Sequence, residues 1–104
     1  MSYKELFDLL STLKIPVAYN HFEESQNVMP PFLIYRERDF NTLYADDINY
    51  FDIENFELEL VTIKKDIQLE NKISNLLKEN NIAYAKEPSV WDSEEKIYHT
   101  IYDI

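Results

Sequence analysis

Hydrophobic positions along this chain follow two different periods, and the switches between them divide it into elements. Leu6, Leu9, Leu10 and Leu13 recur at i, i+3, i+4 and i+7, which predicts one apolar helix face over residues 2–13. Ser2 precedes Glu5 by three positions, the spacing of a capping box. Lys14-Ile15-Pro16 ends that helix, and Ile15 to Tyr19 reads as a short strand whose proline favours a strand start or a sheet edge. Residues 20–30 are polar and predict an exposed loop. Phe32-Leu33-Ile34-Tyr35 is apolar at every position, which predicts a strand that is central or covered on both sides. Residues 39–50 mix acidic, asparagine and aromatic side chains without a helical period, which suggests a second loop or a protruding hairpin.

The clearest strand covers 53–63. There Phe56, Leu58 and Leu60 alternate with Glu57 and Glu59, so the two sets point to opposite faces. Asp66 suits the N-cap of a helix over about 67–80, with Leu69, Ile73, Leu76 and Leu77 on one side. Asn80-Asn81 can take the left-handed cap that glycine usually supplies. Ile82 to Lys86 and Ile97 to Ile104 read as strands joined through Pro88 to Glu95. On the last strand, Tyr98 and Tyr102 share one face and Ile97 and Ile101 the other, making it apolar on both sides. The order is α-β-β-β-α-β-β. It predicts one α+β domain over 1–104, a small mostly antiparallel sheet with both helices packed on one face.

Composition narrows the chemistry. With 104 residues, 45% hydrophobic and 14% aromatic, the chain can build one modest core despite a net charge of −10. No apolar stretch approaches the roughly 20 residues of a membrane span, and the amphipathic opening predicts no export signal, hence a cytoplasmic starting point. The lack of cysteine removes disulfides, thiolate catalysis and zinc–thiolate sites. The lack of glycine removes phosphate-cradling loops, so no nucleotide cofactor is expected. Twenty acidic residues against ten scattered basic ones argue against binding a phosphate backbone.

Candidate catalytic or metal groups are few. His21 and His99 lie 78 positions apart with no motif around either, and read as a solvated loop side chain and a strand-face residue. Asp46, Asp47, Asp52 and Glu54 could suggest a hard-cation site, but no glycine is at hand for the sharp turn, so solvated carboxylates are expected and no metal. Glu57 and Glu59 could form a two-carboxylate hydrolase site; adjacent on one strand, they read instead as a polar sheet face paired with Arg36 or Arg38. Eight tyrosines, six phenylalanines and Trp91 carry more weight, because aromatics with a polar handle favour interfaces. Tyr44, Tyr50 and Phe51 sit where a domain of this size struggles to bury them, and are expected in a protein contact.

Several segments together resemble the small tail-completion proteins of long-tailed phages and prophages of Gram-positive bacteria. They are Ile15-Pro16-Val17-Ala18-Tyr19, Pro31 to Tyr35, Tyr44-Ala45-Asp46-Asp47, and Phe56 to Thr62 followed by Lys64-Lys65-Asp66. Glu70, Ile82-Ala83-Tyr84 and Ile97 to Tyr102 complete the pattern. The resemblance implies a non-enzymatic ring subunit, typically a hexamer, at the head–tail junction, as a joining protein or a tail terminator. Its partners would be further copies of itself, the tail tube and the head connector, with Tyr44, Asp46 and Asp47 of the family-like loop joining Tyr50 and Phe51 in the expected contact segment. It would sit first in the host cytoplasm and then in the virion, with no cofactor, membrane or specific nucleic-acid ligand. A carboxylate-lined lumen would repel DNA phosphates and let the genome pass. The competing expectation is an acidic DNA mimic or host-protein inhibitor, which needs a continuous carboxylate stripe.

Overall fold

The computed structural model describes residues 3–23, 28–37 and 56–104. Their elements are α1 (Tyr3–Ser11), β1 (Val17–Tyr19), β2 (Phe32–Glu37), β3 (Phe56–Thr62), α2 (Ile67–Glu79), β4 (Ala85–Lys86), β5 (Val90–Asp92) and β6 (Ile97–Asp103). The fold is α+β, with six strands in one sheet of order β1-β2-β3-β6-β4 and β5 also paired to β6. Only β1 runs parallel to its neighbour β2; the β2–β3, β3–β6, β4–β6 and β5–β6 pairs are antiparallel.

The register places the apolar alternation of β3 at the centre of the core. Leu60 lies opposite Leu33 and Thr100, and Leu58 opposite Tyr35 and Tyr102. Leu6 and Leu10 of α1 and Leu69, Ile73 and Leu77 of α2 join these side chains in one buried cluster, so both helices cover the same face. The leucine stripes buried there drive the packing, at about 25 cal/mol for each Å² of apolar surface taken from water. Asp66 caps α2 as its spacing suggests: its side-chain oxygen accepts the Leu69 N–H at 3.0 Å. The helix ends in a Schellman arrangement, in which Ile82 N–H donates to Leu77 C=O, Asn81 N–H donates to Lys78 C=O, and Asn81 has φ 58°.

Three details differ from the sequence expectations, and the apolar strand Phe32–Tyr35 meets its own. The strand expected over Ile82 to Lys86 is confined to Ala85–Lys86, because Ile82 belongs to the turn that closes α2 and packs back on the core. The stretch joining it to β6 contains a strand of its own, β5. The Phe32–Tyr35 segment is central in the sheet, with Leu33 and Tyr35 in the core. On the other face Phe32 and Ile34 are half-buried, and Phe22 covers Phe32 edge-on at 5.2 Å. Finally, β6 is not apolar on both sides: His99 and Asp103 share a face with Ile97 and Ile101.

Registers on β4 and β5 differ by one residue. Ala85 lies opposite Asp103 and Lys86 opposite Tyr102, whereas Val90 lies opposite His99 and Trp91 opposite Tyr98. The two are one interrupted strand with a one-residue bulge at Glu87-Pro88-Ser89. The slip turns Lys86 and Trp91 to the helix-covered face although their numbers differ by an odd count.

Candidate functional site

Two charged clusters are built on opposite faces of the sheet. On the face away from the helices, register brings Arg36 of β2 opposite Glu57 of β3, with Glu59 one step along. The guanidinium donates to Glu57 and, at 2.9 Å, to Glu59. His99 Nδ1 lies 2.5 Å from the second Glu59 oxygen, and its Nε2 is 3.8 Å from Asp92 of β5. A chain of paired polar groups thus crosses β2, β3, β6 and β5. Burial pushes the Glu59 carboxyl up, but Arg36 and His99 outweigh it and hold the group below its ordinary value. Burial likewise pulls the Arg36 guanidinium down, and its two carboxylates more than restore it.

On the helix-covered face, Glu70 of α2 is 2% exposed. Its carboxylate accepts from Lys65 Nζ at 2.9 and 2.7 Å and pairs with Lys86 Nζ at 2.6 Å. Lys65 also donates to Ser89 Oγ at 2.7 Å, and Ser89 shares a hydrogen bond of 2.7 Å with Thr100. The bulge makes this possible by turning Ser89 inward over β6. Burial pushes the Glu70 carboxyl up, and the two lysines outweigh it, leaving it below the ordinary carboxylate range. A serine beside a lysine can in principle form a nucleophile–base pair. Here the ammonium is clamped on Glu70, so it donates hydrogen bonds and is not free to accept the serine proton. The cluster fastens the start of α2 to the bulged edge of the sheet.

A third feature is apolar. Met29, Ile63, Ile67, Val90 and Trp91 are 69%, 50%, 61%, 63% and 48% exposed. All five lie towards one end of the sheet, where β2 and β6 begin and β3 finishes. Pro30, Pro31, Thr62, Ile63, Lys64 and Asp66 form a shallow depression there. Trp91 rests against Tyr98 with ring centroids 4.8 Å apart and leaves its remaining surface to solvent.

The sequence expectations meet this geometry unevenly. The Arg36 pairing with Glu57 and Glu59 is as anticipated, while Arg38 lies outside the described residues. His21 is exposed, 3.8 Å from Glu23, and His99 is a strand-face residue held in the charged chain. The expected contact segment, Tyr44, Asp46, Asp47, Tyr50 and Phe51, lies outside the described residues, as do Asp52, Glu54 and the Ser2 cap. The Glu70 cluster and the apolar end were missed. Glu70 had a readable signal, since it falls three residues before Ile73 and seven before Leu77, on the apolar stripe of α2. A carboxylate on such a stripe requires cations within reach. Among the described residues, no group of three or more histidine and acidic side chains is placed to hold a metal ion. No helix there is long and apolar enough to cross a membrane.

Comparison with known proteins adds one partial likeness. No protein-family model matches the chain, and no solved structure matches it. A stretch of 44 residues is 52% identical to the tyramine–L-glutamate ligase of Methanocaldococcus jannaschii, covering 41% of this chain. The chain corresponds to only 14% of that ligase's length, so the likeness is one of a segment, and the ligase's activity as a whole does not pass to this chain with it.

Proposed function

We propose that this chain is a non-enzymatic structural subunit of a phage head–tail junction, a tail-completion protein that joins heads to tails or terminates the tail tube. The single observation that carries the reading is the exposed apolar end formed by Met29, Ile63, Ile67, Val90 and Trp91. An end that exposes several aliphatic and aromatic side chains beside charged ones has the composition of a protein-contact surface. The sheet edges favour docking through that end over strand addition. Pro16 precedes the three-residue edge strand β1, and a proline-containing bulge interrupts the opposite edge. The resemblance across β1, β2, β3 and β6 supplies the phage assignment. The partners are further copies of this chain, the tail tube and the head connector, with the acidic balance keeping DNA from adhering during passage.

The DNA-mimic alternative needs unpaired carboxylates in a row. The described ones at Glu57, Glu59 and Glu70 are instead matched to Arg36, His99, Lys65 and Lys86. The test is electron microscopy of induced lysates from a phage lacking the gene. Full heads beside free tails of normal length identify a joining protein, and overlong tails identify a terminator. Normal infectious particles reject the reading.

A further inference from the structure

We infer that the β5–β6 hairpin of one copy docks into the groove between α1 and α2 of a second copy, giving a head-to-tail contact; this rests on the proposed role as a ring subunit. The hairpin turns at Ser93-Glu94-Glu95-Lys96, where two carboxylates outnumber one ammonium. Glu94 and Glu95 are exposed there, and Asp92 accepts their backbone N–H groups at 3.0 and 3.1 Å, which fixes the turn. Behind the tip stand the exposed Val90 and Trp91. The groove has the complementary character. Its lining includes the half-buried Leu13 and Leu76, the exposed Lys14 and Lys72, and Glu79, also on the rim.

Position argues for a second copy as the occupant. Lys14 lies three residues before β1, at one edge of the sheet, and β5 lies at the other edge. Four inter-strand spacings of about 4.8 Å separate β1 from β5, on the order of 19 Å, so the hairpin does not reach across its own groove to the Lys14 wall. Each copy therefore offers a free acidic hairpin on one side and a free basic-rimmed groove on the other. Such a pairing is heterologous: it leaves an unused half at each end and propagates until the rotation closes a ring. Trp91 is the anchor, since tryptophan is enriched among interface hot spots and Leu13 and Leu76 offer it apolar contact, while Glu94 and Glu95 meet Lys14 and Lys72 at the rim. The contact uses Val90 and Trp91 and leaves Met29, Ile63 and Ile67 free for the tail tube or connector.

Charge reversal tests this with the full chain. One variant carries Glu94→Lys and Glu95→Lys, a second carries Lys14→Glu and Lys72→Glu, and circular dichroism checks that both fold. Sedimentation should show the wild type self-associating, with a zero-length carbodiimide linking Lys14 or Lys72 of one copy to Glu94 or Glu95 of another. A mixture of labelled and unlabelled chains proves the link intermolecular. Each variant alone should associate at least tenfold more weakly, whereas an equal mixture of the two should regain wild-type assembly, because every contact between unlike copies again pairs opposite charges. A wild type that stays monomeric at several hundred micromolar, or variants that assemble as well as it does, would overturn the contact. Either result leaves the head–tail role standing if the gene deletion still separates heads from tails. Infectious particles without the gene would reject that role and leave the contact to be judged on its own cross-links.

Discussion

Glu70 sits almost wholly buried between two ammonium groups whose own stems reach solvent, an arrangement that makes it costly to alter. Replacing it by glutamine keeps the shape and removes the charge, leaving Lys65 and Lys86 with a weaker acceptor. Glu70→Gln should cost about 1–3 kcal/mol in denaturant unfolding, the range for a buried charge-assisted hydrogen bond. Glu59 and Glu70 also set the acid limit of the fold. Both carboxyls are held below their ordinary values, so the folded state releases their protons more readily than the unfolded chain does. Their stabilisation is full above the unfolded carboxylate pKa of about 4.3 and is lost as pH falls through the depressed values. Glu59→Gln and Glu70→Gln should each flatten the fall in stability between about pH 5 and pH 2, read from thermal midpoints across that range. At the alkaline end, burial pushes the Tyr102 hydroxyl up to about 12, and that hydroxyl donates to the Glu70 carbonyl at 3.0 Å. A raised value means that its contribution is complete below about pH 10 and fades above it. Tyr102→Phe should cost about 1 kcal/mol at neutral pH and remove that alkaline loss, as followed by tyrosinate absorbance.

Among elements, the ends of α1 and α2 and the β5–β6 turn show how a chain without glycine makes its reversals. Lys14, Asn20, Asn81 and Lys96 take positive φ of 62°, 66°, 58° and 59°. Asparagine visits this region readily, whereas lysine pays for its Cβ. Lys96→Gly should therefore raise stability by about 0.5–1 kcal/mol, less than the full relief because glycine also loosens the unfolded chain. Asp66→Ala should lower it by about 1 kcal/mol through the lost cap of α2. Differential scanning calorimetry resolves both signs.

Elements with a long, regular period were legible in advance. The stripe Leu69, Ile73 and Leu77 defined α2, and the alternation Phe56 to Leu60 defined β3 with its charged reverse side. Val90-Trp91-Asp92 was not legible, because three residues carry no period and become a strand only through the hairpin that lays them on β6. The Ser89 contact was hidden for a related reason: a bulge shifts the facing of every later residue, and nothing local announces it. The apolar end is a property of the assembled sheet, gathering residues from Met29 to Trp91 that are distant in sequence. The contact segment read from Tyr44, Asp46, Asp47, Tyr50 and Phe51 falls outside the described residues.

For the whole molecule, the charged clusters and the apolar end divide the labour. The clusters lock the strands and α2 into one body, and the exposed side chains at the end of the sheet are those that the proposed role assigns to partners. Ile63 and Ile67 lie outside the core and carry no structural hydrogen-bonding side chain, so replacing them should alter docking while sparing the fold. The most direct measurement is plaque titre when a phage lacking the gene is complemented with the Ile63→Ser/Ile67→Ser double variant, its folding verified by calorimetry. A stably folded variant that restores at most about a hundredth of the wild-type titre, with unjoined heads and tails accumulating, is the predicted result; the full wild-type titre would contradict the claim that this end is where the protein meets its partners.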